Sequence, residues 1–519
     1  MVEPARRASA SHYGIGDDDV MDAASVERGA VARGAVADRR TSLGLRARLD
    51  VLVYGGTFLW GALFTAGALL EQHFFLLRRY DLGNFTQAIW STAHGHLLRV
   101  TEVGGDQISR LGVHVDPIIV GLVPLWWIWS SPNLLLVVQV TALAAGALPL
   151  YWLGRKHLQS SRDAALISAA YLLSPALQWN GLHEFDAVAL SVPLLLACVW
   201  FLDEDRLWAF AVAAALAVLC QEQIGLIVAC LGLVYAWRTR RVSVGLAIAA
   251  VGLAVTVVDL QVILPHFSSG SPYNARFSGV GGSTGGVAST LALHPVTILA
   301  RVFQPAHLLG LAFLFVPVLG ICLRSPLTLA AAPQLAFVLL SARVADVAPT
   351  SQNVLPILPF VFAGTIYALR PRSDVQKWKA GHVFVVSLGC AAFFGPLNPL
   401  LWPSASSQHV AAERRAVALV PVGAPVSSTN HLGAHLAARR YLSVFPVLGQ
   451  ARWIVLDRKD AYLPDLEQLR SRQGPAVGVT DLAWQPKLMR SEIRKLETSP
   501  RWKRIYSSDG VMVFTRRRS

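Results

Sequence analysis

The residues of this chain that could do chemistry gather in three short polar stretches set between apolar runs. The first carries Asp81, Glu102, Asp106, His114 and Asp116. The second carries His183, Glu184 and Asp186, and the third is Cys220-Gln-Glu-Gln-Ile224, with Glu222 at the junction of two apolar runs. Ionisable groups at membrane depth are costly unless paired or solvated, so each is a functional candidate by default. Carboxylates at such a place suit general acid–base work, where one takes the proton of a reacting hydroxyl. His114-x-Asp116 and His183-Glu184-x-Asp186 could also hold Mg²⁺ or Mn²⁺ through oxygen and imidazole. Each residue has a plain structural reading as well. Asp116 before Pro117 fits a helix cap, Asp186 fits a cap for a helix starting near Ala187, and Asp81-Leu-Gly fits a capped turn. Three acidic stretches expected on one face favour the functional reading for the set.

The elements that must position these residues are apolar helices. The chain has 519 residues, 54% hydrophobic and 15% charged, against roughly 25% charged in soluble domains. Repeated apolar runs of about 16–23 residues indicate a polytopic α-helical membrane protein, and a β-barrel would show alternating segments of about 10 residues instead. About eleven spans are expected, near 50–70, 133–153, 164–181, 186–202, 206–221, 223–238, 242–264, 306–323, 326–342, 352–370 and 379–396. Residues 117–129 are apolar, too short for a full crossing and rich in tryptophan, which suits a re-entrant or juxtamembrane helix. Arg155-Lys156, Arg238, Arg240, Arg241, Arg324 and Arg370 mark the expected cytoplasmic side.

Residues 1–48 then read as a disordered cytoplasmic tail, and 49–399 as the transmembrane domain with an outward loop over 71–132. A Gly/Ser-rich outward loop is expected over 265–305. Residues 400–519 read as a small extracytoplasmic α/β domain. Within it, Val417-Ala-Leu-Val-Pro421, Trp453–Asp457 and Val511–Thr515 read as strands, and 430–440 and 486–498 as helices. The net charge is +14, but no basic-aromatic module accompanies it, so nucleic acid is not an expected partner. The five cysteines lie in apolar runs without a C-x-x-C pair and read as packing residues. No Walker or Rossmann fingerprint is present, which argues against an ATP-driven pump.

Certain residues carry a family resemblance. They are Tyr80-Asp-Leu-Gly-Asn-Phe-Thr-Gln-Ala-Ile-Trp90, Gly95, Gly112-Val-His-Val-Asp-Pro117, Gln139, His183-Glu-Phe-Asp186 and Gln221-Glu222-x-x-Gly225. With Pro425–Asn430, Arg439-x-Tyr441-Leu-x-x-Phe445-Pro446 and Ile454–Asp457 in the tail, they resemble a bacterial membrane family, domain of unknown function 2079. That family in turn is similar in layout to the GT-C class of polytopic glycosyltransferases. There an acidic residue follows the first helix, then an aromatic, a Gly and a Pro-rich apolar segment; Asp81, Trp90, Gly95 and Pro117–Pro124 take these places.

The resemblance implies a glycosyltransferase of the bacterial cytoplasmic (inner) membrane, with its N-terminus in the cytoplasm, working at the outer face. Its donor would be a polyprenyl-phosphate-linked sugar, and its acceptor a cell-envelope glycan, lipid or protein. An inverting displacement would use Asp81 as general base, with Glu184 and Asp186 as second choices or acceptor-orienting groups. His114 and Asp116 would position Asp81 or hold a metal, and His183 and Glu222 would contact substrate. Arg343 would meet the lipid phosphate, with Arg79, Arg110, Arg276 and Arg301 as alternatives. No cofactor is required by this reading, although a divalent Mg or Mn ion could join it. The alternative is a membrane transporter or lipid flippase of envelope intermediates, in which the acids relay protons.

Overall fold

The computed structural model describes residues 46–268, 273–371, 379–402, 406–464, 466 and 482–517. The expected tail over 1–48 lies outside the described residues as far as residue 45, and Arg46 already begins the helix Arg46–His73. Of the first compact unit, Met1–Leu52, the described residues are helical; the second unit, Val53–Ser519, holds the rest of the fold.

Three helices among the described residues are long and apolar enough to cross a membrane: Arg46–His73, Pro132–Leu158 and Val242–Phe267. The other expected spans are shorter apolar helices, among them Ala187–Asp203, Leu207–Val218, Ile224–Thr239, Gln352–Ala368 and Ala380–Phe394. Prolines account for some of the breaks. The expected span over 164–181 is two helices, Ser161–Leu172 and Pro175–Leu182, because Pro175 has no N–H to continue the ladder. Ile321–Arg324 is a separate 3-10 turn, set off from the helix Pro305–Val318 by Leu319 and Gly320, both at positive φ. Pro117–Ile128 is an apolar helix of the short class, begun by a 3-10 turn. The stretch expected as an irregular loop over 265–305 instead carries short helices, including Thr284–Leu293 and Pro295–Val302, bent by 99° from each other.

Packing between neighbouring helices rests on small residues. A Cβ on Gly232 would lie 2.7 Å from the Gly245 carbonyl oxygen, and one on Gly252 would lie 2.5 Å from that of Gly225. Glycine thus lets Ile224–Thr239 and Val242–Val258 touch backbone to backbone, as helices do in lipid, where apolar bulk alone supplies no drive to associate.

One end of the bundle is basic. Lys156 binds Asp203 at 2.8 Å and Glu204 at 2.6 Å, His157 binds Asp203 at 2.9 Å, and Arg241 pairs with Asp205. Arg238 and Arg370 lie 4.0 and 4.1 Å from the centre of the Tyr367 ring. Asp203 ends the helix that Asp186 begins, and Arg238 lies near the end of the helix that follows Glu222. The acidic stretches are therefore at the opposite end from this cluster.

The tail forms a five-stranded sheet in the order Leu442–Val444, Val426–Ser428, Trp453–Asp457, Val511–Arg516, Trp502–Ser508. The first three strands are parallel and the last two antiparallel to their neighbours. The stretch Val417–Pro421, expected as a strand, closes the helix Ser407–Ala418 instead. Ala412, Ala416 and Val420 recur every four residues on its buried side. The expected helix over 430–440 is shorter, Asn430–His435, while Pro486–Thr498 is a helix as expected.

Candidate functional site

After the first long helix the chain makes a five-residue wide turn, Arg79–Gly83, and then the helix Asn84–Ala93. Gly83 and Gly433 let the tail helix Asn430–His435 close against this turn, since a Cβ on Gly433 would lie 2.6 Å from Arg79 Cβ. Asp81 is thereby held half-buried on two adjoining cavities of about 200 and 450 Å³. Tyr80, Asp186, Arg276, Arg343, Gln352 and Asn353 line both cavities with it. Among the described residues the Asp81 carboxylate accepts no hydrogen bond.

The second acidic stretch is fixed from behind by one glutamine. Buried Gln139 donates to the carbonyl oxygens of Asn180 at 2.8 Å and Glu184 at 3.1 Å, and its oxygen accepts from the Asp186 N–H at 2.8 Å. Phe185, between the two acids, packs edge-on against Phe85 of the first loop, with centroids 4.9 Å apart. Asp186 caps the following turn by accepting from the Val188 N–H at 3.0 Å and still lines both cavities. Glu184 accepts from the Arg78 N–H at 3.1 Å and lines the larger cavity with His183.

The third and fourth walls come from distant segments. His114 lines the smaller cavity and pairs through Nδ1 with Glu222 at 3.0 Å, while Glu222 also accepts from the Val115 N–H at 2.9 Å. Asp346 organises the segment 341–353. It accepts from the Ser341 hydroxyl and from Asn353 Nδ2 at 3.3 Å, and lies 3.6 Å from Arg276. Arg276 and Arg343 thus line the same cavities as Asp81.

Electrostatics separate the acids. Burial, reinforced by the charges of Glu184 and Asp186 and opposed by Arg110 and His114, pushes the Asp81 carboxyl up to about 7. Burial also raises Glu184. His183 is lowered to about 4 by burial and by Arg78, so it is neutral at physiological pH. Burial pulls His114 down, but the charge and hydrogen bond of Glu222 outweigh it and hold the imidazole above its usual range.

Several expected contacts are engaged with other groups of the protein. Arg79 is buried beside the smaller cavity and donates to the Thr101 carbonyl oxygen and, at 2.9 Å, to that of Leu442, so it ties backbone together at the cavity wall. Asp116 is gripped by Arg110 through Nη2 at 2.7 Å and Nε at 2.9 Å, and the Arg110 guanidinium lies 3.6 Å from the Phe85 ring centre. Asp116 does not cap the helix after Pro117. Glu222 acts through His114 and lies behind it. Arg301 donates to the Ser341 carbonyl oxygen. With Asp116 and His114 so engaged, the loop acids and histidines do not bring three ligand atoms together among the described residues.

Sequence reasoning missed Tyr80, Gln352 and Asn353, and the tail residues Asn430 and Tyr462 on the larger cavity. A polar Gln-Asn pair at the head of an apolar run was the available signal for the first loop beyond residue 340.

Residues 72–513 match the family described as "Predicted membrane protein (DUF2079)". The chain belongs to that family. The family match spans the whole of the site, from the Asp81 turn to the tail strands that cover it. No curated protein matches this family member. Among solved structures, it is similar to ArnT from Cupriavidus metallidurans bound to undecaprenyl phosphate, at 13% identity and a TM-score of 0.48, over 88% of this chain and 97% of that one. The apo ArnT structure from the same organism gives 14% identity and a TM-score of 0.45, over 88% and 98%.

Proposed function

We propose that this protein is a GT-C-type membrane glycosyltransferase that takes a polyprenyl-phosphate-linked sugar at the outer face of the cytoplasmic membrane. The observation that carries the reading is Asp81. Its carboxylate faces both cavities, accepts no hydrogen bond among the described residues and is pushed up to about 7, where a general base works best at neutral pH. Two arginines on the same cavities, Arg276 and Arg343, supply cationic partners for a phosphate.

In this reaction an acceptor hydroxyl oxygen attacks the anomeric carbon while its proton passes to Asp81. The bond from that carbon to the phosphate oxygen breaks, and the lipid phosphate departs with the electron pair beside Arg276 and Arg343. Asp186 and Glu184 orient the acceptor, with burial holding the Glu184 carboxyl above its usual range. His114, whose charged form is favoured by its pairing with Glu222, opposes the rise of Asp81.

The test is transfer of radiolabelled sugar from polyprenyl-phosphate donors by purified protein in lipid vesicles. Asp81→Asn is expected to lower the rate by about 10²–10⁴-fold. A variant at full rate removes Asp81 as base. Vesicle uptake of labelled envelope precursors without any transfer product replaces the reading with transport.

A further inference from the structure

Away from the Asp81 cavities, three side chains of ligand type converge in the tail. His409 and Glu413 lie one turn apart on the helix Ser407–Ala418 and project from one face. Asp457 ends the central strand Trp453–Asp457. His409 Nε2 lies 3.2 Å from Asp457 Oδ2 and 3.9 Å from Glu413 Oε1, and one ligand atom from each lies within 4.8 Å of the others. Ligands held about 2.0–2.2 Å from a zinc-sized ion stand roughly 3–4 Å apart, so little movement would admit one.

Two further observations point to a cation. Glu413 is only 4% exposed, yet among the described residues its carboxylate accepts no hydrogen bond. A buried carboxylate left so is costly unless a positive charge meets it. The other observation is at the far side of the imidazole. His409 Nδ1 lies 2.9 Å from Asp509 Oδ2, an oxygen that Lys459 also holds at 2.9 Å, and farther, at 3.3 Å, from Lys459 Nζ itself. An outer carboxylate on Nδ1 fixes the tautomer that leaves Nε2 as the ligand, as it does behind metal-bound histidines. Asp509 arrives there by fold. It and Gly510, at φ 45° and 88°, form the tight turn between the strands Trp502–Ser508 and Val511–Arg516.

We propose that His409, Glu413 and Asp457 bind one divalent first-row cation of the Zn²⁺ or Mn²⁺ kind, pinning the helix to the sheet. Imidazole with two carboxylates suits these ions, and the partial exposure of His409 leaves an entry path and an open position for water.

Isothermal titration of ZnCl₂ into chelator-treated, untagged full-length protein in detergent tests this. One equivalent is expected, lost in His409→Ala and Glu413→Gln and kept in Asp81→Asn. Asp509→Asn should bind about 10–100-fold more weakly. Glu413→Gln nearly preserves shape, so it should keep the metal-free Tm while losing the rise in Tm that ZnCl₂ gives the parent protein, a pattern misfolding would not produce. No binding by the parent protein, or full binding by Glu413→Gln, overturns the proposal and leaves a proton-sharing histidine–carboxylate network.

Discussion

Asp81 carries the sharpest consequences at the scale of single residues. Its carboxyl rises from the ordinary 3.8 to about 7 in the folded chain. The base form is the deprotonated one, so the transfer rate should climb with pH through an acid limb near 7 and level off above it. The stability effect has the opposite sense. The folded state holds this proton more tightly than the unfolded state, so the group's contribution falls as pH rises from about 4 to about 7. Asp81→Asn should therefore melt above the parent protein at pH 8 and level with it at pH 4. Equal melting at both would show that the carboxylate is solvated. Asp81 was legible as a candidate from its place after the first apolar run. The different engagement of Arg79 was not, because arginines look alike in a sequence and only packing shows that Arg79, on the same cavity as Arg276 and Arg343, donates to two carbonyl oxygens.

At the scale of elements, the site depends on residues that never touch its cavities. Gln139, in the middle of a long apolar helix, holds the loop that carries Glu184 and Asp186. Gln139→Leu keeps the bulk but strands buried backbone groups, at about 1–3 kcal/mol for each left unpaired. The expected result is a lower Tm and a lower transfer rate with the pH limb unmoved; an unchanged Tm would mean that water fills the gap. The helix hairpin at Gly232 and Gly245 makes a similar claim. Gly245→Val forces Ile224–Thr239 and Val242–Val258 apart, so it should lower the Tm, and a parent-like Tm would show that the close approach is dispensable. Helix existence was legible from apolar run length. Helix ends were less so where short apolar runs suit helix and strand alike, as at Val417–Pro421, and where proline cuts a run that hydropathy reads as continuous.

At the scale of the whole molecule, the tail is a wall of the site. Arg79 and Gln87, from the first loop, donate to the carbonyl oxygens of Leu442 and of Arg439 and Arg440 in the tail. Asn430 and Tyr462 of the tail line the larger cavity. Arg79→Ala should loosen this seam, so hydrogen exchange should quicken over 99–109 and 430–444 while the helix Gln352–Ala368 keeps its protection. Unchanged exchange in the tail segments would show that the seam does not depend on Arg79.

The sequence by itself determined the helical membrane class, the sheet-bearing tail, the family, and the three acidic stretches from which the site is drawn. These follow from local features: run length, turn residues and the cost of charge beside apolar segments. Only the tertiary structure decided which acids stay free. Arg110 takes Asp116, His114 takes Glu222 across 108 residues, and Asp81 is left on a cavity that two arginines from the far part of the chain also line. A charged side chain is engaged or available according to its neighbours in space, and those neighbours are set by packing between segments whose separation along the chain carries no trace of it.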